Sequence, residues 1–159
     1  MQEAARDTYV IVTTFSGVTK QAAYTITTGD VLYDFGLARG EDAMAEELMA
    51  LYLALVSSPT ECDIAIRTRL EYIRNGCTAV LLNPSKPWHA TAEARGPFGN
   101  LWREIRREAG SRHIIEVARA GWTENAYCKN LAAMPGDTCS PAHLASIIEK
   151  IKGPAFGRW

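Results

Sequence analysis

Three β-prone segments with short links between them form the start of the chain and restrict its fold more than any other feature of the sequence. They cover residues 9–14, 21–28 and 31–37 and are rich in β-branched and aromatic side chains. Gly29 and Asp30 mark a tight turn between the last two segments. Because strands joined by such short links are antiparallel neighbours, the sequence predicts a three-stranded antiparallel meander.

The next segment is predicted to be a helix that carries one acid at the edge of its apolar face. Asp42 is a suitable N-cap for this helix. Its apolar residues recur at spacings of four, three and four and therefore share one face: Met44, Leu48, Leu51 and Leu55. At about 100° per residue, Glu47 falls at the edge of that face and Glu46 points nearly the opposite way. We expect Glu46 to lie in solvent and Glu47 to lie close to the core.

Strands and helices alternate in the rest of the chain. We predict a helix around Tyr72 that Gly76 interrupts, and helices capped by Asn100 and Thr123. A long loop occupies residues 84–100, and loops of that length are usually functional or mobile. The remaining predicted elements are two strands and a tail helix, over residues 62–68, 113–118 and 141–152.

Composition and cysteine usage exclude several classes of protein. The chain is 47% hydrophobic and 22% charged, as in globular domains and unlike disordered, collagen-like or coiled-coil chains. Its four cysteines lack the spacing of a zinc site, so we expect reduced thiols in an intracellular protein, with Cys62 and Cys128 buried. No stretch near a chain end approaches the ~20 apolar residues of a membrane span, and we expect no membrane association.

The charges are distributed unevenly, although the net charge is only −1. Residues 1–66 contain three basic and ten acidic side chains, whereas residues 67–119 contain ten basic and five acidic ones. A basic excess confined to one part of a chain is typical of a surface that binds nucleic acid. Solvated faces that balance one another would give the same counts, so the charges alone leave both interpretations open.

Four segments of the chain resemble type-1 ribonuclease H, and the order of the elements resembles the ribonuclease H fold. The segments are ELMA at residues 47–50, RTRLEYIRNG at 67–76, WHATA at 88–92 and AGWTEN at 120–125 followed by CKNLA at 128–132. The resemblance covers about residues 8–134. It implies an α/β, ribonuclease H-like domain with a five-stranded mixed sheet, in which the antiparallel three-strand meander adjoins two parallel strands, flanked by helices. Residues 135–159 would form a C-terminal extension with one helix.

The resemblance also implies a site in which four carboxylates bind two Mg²⁺ ions, and this sequence departs from it. Only Glu47 keeps its acid; the other three ligand positions fall on Phe15, Arg69 and Lys129. Since Mg²⁺ needs several hard oxygen ligands, we expect no bound metal, no cofactor and a catalytically degenerate member of the family. Glu47 would then pair with Arg69, with Lys129 or with both, unless all three side chains are exposed and unpaired.

The function that follows is a non-catalytic module that binds nucleic acid, such as RNA or an RNA–DNA hybrid. Basic groups interleaved with an aromatic ring suit phosphate neutralisation and base stacking. The candidate binding residues are Asn83, Lys86, Trp88, His89, Arg95, Arg103 and Arg106. Alternatively, Trp88 and Trp102 belong to the core, and the arginines pair with Glu104 and Glu108 at helical spacing.

Two other functions remain open from the sequence. One is an active, metal-dependent endoribonuclease on RNA–DNA hybrids, whose divergent site would combine Glu47 with Asp34, Asp63 and Glu71. The other is a structural part of a larger retroelement or ribonucleoprotein assembly, with a protein partner. In that case the tail helix would dock through Leu144, Ile147, Ile148 and Ile151, although the same face would also suit packing on its own domain.

Overall fold

A five-stranded mixed sheet forms the centre of the molecule, which is known from a computed structural model. The structure describes residues 7–133 apart from 30, 40–41, 84, 86 and 89–90. The predicted extension at 135–159 and its helix lie outside the described residues, as do Lys86 and His89.

The elements follow the predicted order, except that a short helix lies within residues 84–100, which were predicted to form a loop. The strands are Thr8–Ser16 (β1), Gln21–Thr28 (β2), Val31–Arg39 (β3), Asp63–Thr68 (β4) and His113–Ala118 (β5). The helices are Ala43–Ser57 (α1), Glu71–Leu81 (α2), Ala92–Arg95 (α3), Gly99–Ala109 (α4) and Trp122–Ala132 (α5). The sheet order is β3-β2-β1-β4-β5, with β1, β2 and β3 antiparallel and with β1, β4 and β5 parallel. The predicted α/β class and the mixed sheet are confirmed.

Alternating side chains on β1 divide the core between the two faces of the sheet. Ile11 packs into the larger core cluster, which contains Leu48 of α1 and Trp102 of α4. Val12 points to the other face, where it joins Cys128 of α5 in a smaller cluster. Since side chains on a strand alternate between faces, Thr13 lies on the same side as Ile11 and therefore faces α1.

Three predicted helix details are wrong. Gly76 lies inside α2 instead of interrupting it. Helix α4 begins at Gly99, two residues earlier than predicted, because the Trp102 amide donates to the Phe98 carbonyl at 2.9 Å. The N-cap of α5 is Gly121 instead of Thr123, since the Glu124 side chain accepts from the Gly121 amide at 2.7 Å.

Gly76 is required by the packing of α2 against α4. A Cβ atom at this position would overlap the indole ring of Trp102, which is fully buried and donates to the Tyr72 hydroxyl at 3.0 Å. The ring cannot retreat without losing this hydrogen bond or its place in the core.

None of the described helices is long and apolar enough to cross a lipid bilayer.

We predict that Gly76→Ala destabilises the protein. Alanine would ordinarily stabilise a helix interior by about 1 kcal/mol over glycine. Overpacking against Trp102 costs about 1–3 kcal/mol, so the free energy of unfolding should fall. Urea denaturation measures the difference, and Asn75→Ala, at the exposed neighbouring position, serves as the control for helix propensity. A gain in stability for Gly76→Ala equal to that of the control would contradict the packing argument.

A candidate functional site at the carboxyl edge of the parallel strands

The carboxyl ends of β1, β4 and β5 meet at one edge of the sheet because the three strands are parallel. Thr13 of β1 lies beside Thr68 of β4, and Arg67 of β4 lies beside Ala118 of β5. Open α/β sheets place ligand sites outside this edge. Helix α1 brings Glu47 to the same place from above the sheet.

Glu47 is buried, with 5% of its surface exposed, and its carboxylate is held by two threonines on neighbouring strands. The Thr13 hydroxyl donates to Oε2 at 2.9 Å, and the Thr68 hydroxyl donates to the same oxygen. Burial raises the pKa of Glu47, and the hydrogen bonds from Thr68 and Thr13 counteract part of that rise. The predicted position of Glu47 near the core is confirmed, but neither threonine was identified from the sequence.

The expected ion pair between Glu47 and Arg69 or Lys129 is not formed. Arg69 is exposed, and its Nε donates to the Ala120 carbonyl at 3.2 Å. Lys129 is exposed on α5. The physical reason is register: paired residues on β1 and β4 aim two short hydroxyls at the carboxylate, so it needs no long cationic side chain from outside.

The residues around Glu47 do not fit a pair of magnesium ions. Within the described ranges, no three His, Cys, Asp or Glu side chains come together as a metal site would require. The two hydroxyls next to Glu47 act as donors to its carboxylate. Phe15, two residues beyond Thr13 on the same face of β1, is apolar, half-buried and packed against the core. Hard divalent cations need several oxygen ligands, which this set does not supply.

Two of the acids considered for a relocated site do not converge on Glu47. Asp34 accepts from the Tyr24 hydroxyl at 3.0 Å, and that hydroxyl also contacts Ser57 at the other end of α1. Asp63 lies at the amino end of β4, where it contacts Nδ1 of His113 at 3.1 Å.

A second polar group lies on the other face of the sheet. Arg67 donates through Nε to Glu116 of β5 and through a terminal nitrogen to Glu124 of α5, each at 2.9 Å. Glu124 is buried and also accepts from the Gly121 amide. Burial would lower the pKa of Arg67, but the hydrogen bonds and charges of Glu124 and Glu116 outweigh it and raise that pKa. This network, which the sequence did not reveal, fixes the start of α5 to the sheet.

The candidate nucleic-acid residues that the structure describes differ in accessibility. Asn83, Arg95 and Arg103 are exposed. Trp88 is half-buried and packs against the larger core cluster, and Arg106 is half-buried on α4. Trp102 is fully buried, which agrees with the alternative that assigned it to the core. Among the other arginines of this region, Arg107 pairs with Glu104 at 3.2 Å and Arg112 pairs with Glu108 at 3.3 Å.

We predict that Glu47 makes the protein less stable as pH rises. Its pKa in the folded state lies above the ordinary value of 4.5, so stability is greatest below that value and falls as the buried carboxyl ionises. Each unit of pKa elevation is worth about 1.4 kcal/mol. The unfolding free energy of the native protein minus that of Glu47→Gln should therefore decrease from pH 4 towards pH 8.

The measurement is urea denaturation across that pH range for the native protein, Glu47→Gln and a control. Glu104→Gln removes a surface carboxylate of α4 and should produce no such decrease. A pH-independent difference for Glu47→Gln would show that folding does not raise the pKa of this carboxyl, and would contradict the prediction.

Comparison with known proteins finds curated relatives named Ribonuclease H. The chain is 36% identical over 92 residues to proteins named Ribonuclease H from Pectobacterium carotovorum subsp. carotovorum and from Pectobacterium atrosepticum. It is 34% identical over 91 residues to the Ribonuclease H of Salmonella arizonae. These matches cover 54% of this chain and 58% of each relative, so the chain spans about half the length of the curated relatives it matches. No family model matches the chain.

The similarity in sequence and the observed fold agree with each other. The relatives share a name, and the chain has the sheet of an antiparallel meander plus two parallel strands that the resemblance implied. The helix that follows the meander carries the acid Glu47 on its sheet-facing side. The chain is therefore similar in sequence to proteins named Ribonuclease H over about half their length, and its fold is ribonuclease H-like.

Proposed function

We propose that the chain is a non-catalytic ribonuclease H-like module that binds nucleic acid. The observation that carries the first half of the proposal is the state of Glu47. Its carboxylate accepts hydrogen bonds from two threonines and belongs to no group of three or more His, Cys, Asp or Glu side chains among the described residues. Two-metal hydrolysis needs carboxylates that clamp the attacking and leaving oxygens, and one buried acid cannot perform that task.

Positive charge near the site also argues against metal-dependent cleavage. Arg69 directly follows Thr68, one of the two residues that hold Glu47. A guanidinium group at this position repels a divalent cation and attracts a phosphate. The arrangement therefore favours retention of a nucleic-acid backbone over its hydrolysis.

The second half of the proposal rests on accessible cations and on the similarity to proteins named Ribonuclease H. Arg95 and Arg103 are exposed, and no described carboxylate forms an ion pair with either of them. The relatives are named Ribonuclease H, which makes nucleic acid the ligand class to test first. An RNA–DNA hybrid and an RNA duplex are the ligands that we propose for this surface.

We predict no metal-dependent cleavage of an RNA–DNA hybrid. The hybrid is incubated with the protein in the presence of Mg²⁺ or Mn²⁺, and the products are resolved by denaturing electrophoresis. The Ribonuclease H of Pectobacterium atrosepticum, under the same conditions, is the positive control. Cleavage that requires the metal and is lost in Glu47→Gln would establish an active enzyme with a divergent site and overturn the non-catalytic proposal.

We predict that Arg95→Gln combined with Arg103→Gln weakens duplex binding and reduces its salt dependence. Each phosphate contact contributes about 0.9 to the logarithmic salt slope on duplex DNA, so two contacts should remove roughly two units. Backbone contacts carry no base information, and the loss should be similar for unrelated sequences. Fluorescence anisotropy on RNA, DNA and hybrid duplexes measures both quantities.

Arg107→Gln is the matched control for that experiment. It removes the same charge from the same helix as Arg103, but its guanidinium already pairs with Glu104. The control should change the slope by less than either target arginine. If the double variant binds as tightly as the native protein with an unchanged slope, this surface does not carry nucleic acid, and docking within a protein assembly becomes the better account.

A further inference from the structure

Trp122 is the most exposed aromatic ring among the described residues. Solvent reaches 78% of the surface of Trp122. This exposure is costly, because a buried tryptophan contributes a large hydrophobic stabilisation that an exposed one does not. It is the first residue of α5 and follows β5 at the carboxyl edge of the sheet. Trp102, in contrast, is completely buried.

The backbone that carries Trp122 is firmly held. The preceding residue, Gly121, donates its amide to Glu124, and the Asn125 amide donates to the Gly121 carbonyl at 3.0 Å. Glu124 is fixed in turn by Arg67 of β4. A ring presented by a rigid backbone loses little conformational entropy when a ligand stacks on it.

Three arginines surround the same stretch of chain. The Ala120 amide donates to the Thr68 carbonyl at 3.3 Å, which joins the segment before α5 to the end of β4. Arg69 donates to the Ala120 carbonyl, and Arg74 donates to the Thr68 carbonyl at 3.0 Å. Arg119 is exposed and immediately precedes Ala120.

These arginines lack acidic partners within the described part of the chain. The nearby acids are already engaged: Glu116 and Glu124 pair with Arg67, and Glu47 is buried against the two threonines. Glu71 is exposed on α2 and forms no ion pair with a described residue. With three arginines and one unpaired acid, Glu71, among the described residues, the edge keeps a net positive charge beside a flat, exposed aromatic ring.

We infer that Trp122, Arg69, Arg74 and Arg119 form a binding surface for single-stranded nucleic acid. The ring stacks on an unpaired base, and the three guanidinium groups contact the flanking phosphates. A duplex hides its base faces within its own stack, so this surface favours single strands. The inference deepens the proposed function, because it rests on nucleic acid as the ligand class but assigns it to residues other than Arg95 and Arg103.

The test measures affinities for dT12 and rU12 by fluorescence anisotropy, with a 12-base-pair hybrid as the comparison. Trp122→Ala should weaken single-strand binding roughly 5- to 150-fold, the range of base–aromatic stacking, and leave hybrid binding within about twofold. Trp122→Phe should recover most of the affinity because it keeps an aromatic face. Arg69→Gln with Arg119→Gln should flatten the salt slope on single strands by roughly 1.4 units.

Tyr33→Ala is the control, since Tyr33 is an exposed aromatic residue near the opposite edge of the sheet. Thermal unfolding shows that each variant remains folded. Single-strand binding that is unchanged in both Trp122→Ala and the arginine double variant overturns the inference, while hybrid binding that depends on Arg95 and Arg103 would leave the proposed function standing. Absence of binding to every probe overturns both. Single-strand binding that needs Trp122 but not Arg95 or Arg103 supports the inference and removes the other surface from the proposed function.

Discussion

The hydrogen bonds from Thr13 and Thr68 to the buried carboxylate of Glu47 are the interaction on which the candidate site depends. They join α1 to β1 and β4 at the point where the parallel strands end. Hydrogen bonds to a charged acceptor are stronger than neutral ones, which offsets part of the cost of burying the carboxylate. Burial still raises the pKa of Glu47, so part of the desolvation cost remains.

Adjacent residues of β4 organise the two faces of the sheet. Thr68 points towards α1 and holds Glu47, whereas Arg67 points towards α5 and joins Glu116 to Glu124. The alternation of a β-strand is what allows neighbouring residues to serve separate helices. The carboxyl edge is thereby rigid on both sides, and the exposed groups above it, Arg69 and Trp122, extend from a fixed backbone.

The described residues at the carboxyl edge do not supply the ligands of a two-metal site, although the sheet is ribonuclease H-like. Glu47 accepts hydrogen bonds from two hydroxyl groups at this edge. Exposed arginines at the same edge support the proposal that it contacts phosphates. In that proposal a binding module and a nuclease share a scaffold, because function resides in the side chains at one edge.

The sequence by itself determined the local elements and the fold class. Segments rich in β-branched and aromatic residues located the strands, and the apolar spacing of α1 located that helix and identified Glu47 as an acid near the core. Sequence reasoning failed wherever the answer depended on residues far apart in the chain. Gly76 looked like a helix breaker because its partner, Trp102, lies 26 residues away in the sequence.

Only the tertiary structure decided which groups meet Glu47. The spacing made Arg69 and Lys129 reasonable partners, but strand register placed Thr13 beside Thr68 and aimed both hydroxyls at the carboxylate. The pairing of Arg67 with two glutamates and the exposure of Trp122 likewise depend on how β4, β5 and α5 pack. Periodicity reports which face of its own element a side chain occupies, whereas its contacts depend on the register and packing of distant segments, which one-dimensional spacing does not contain.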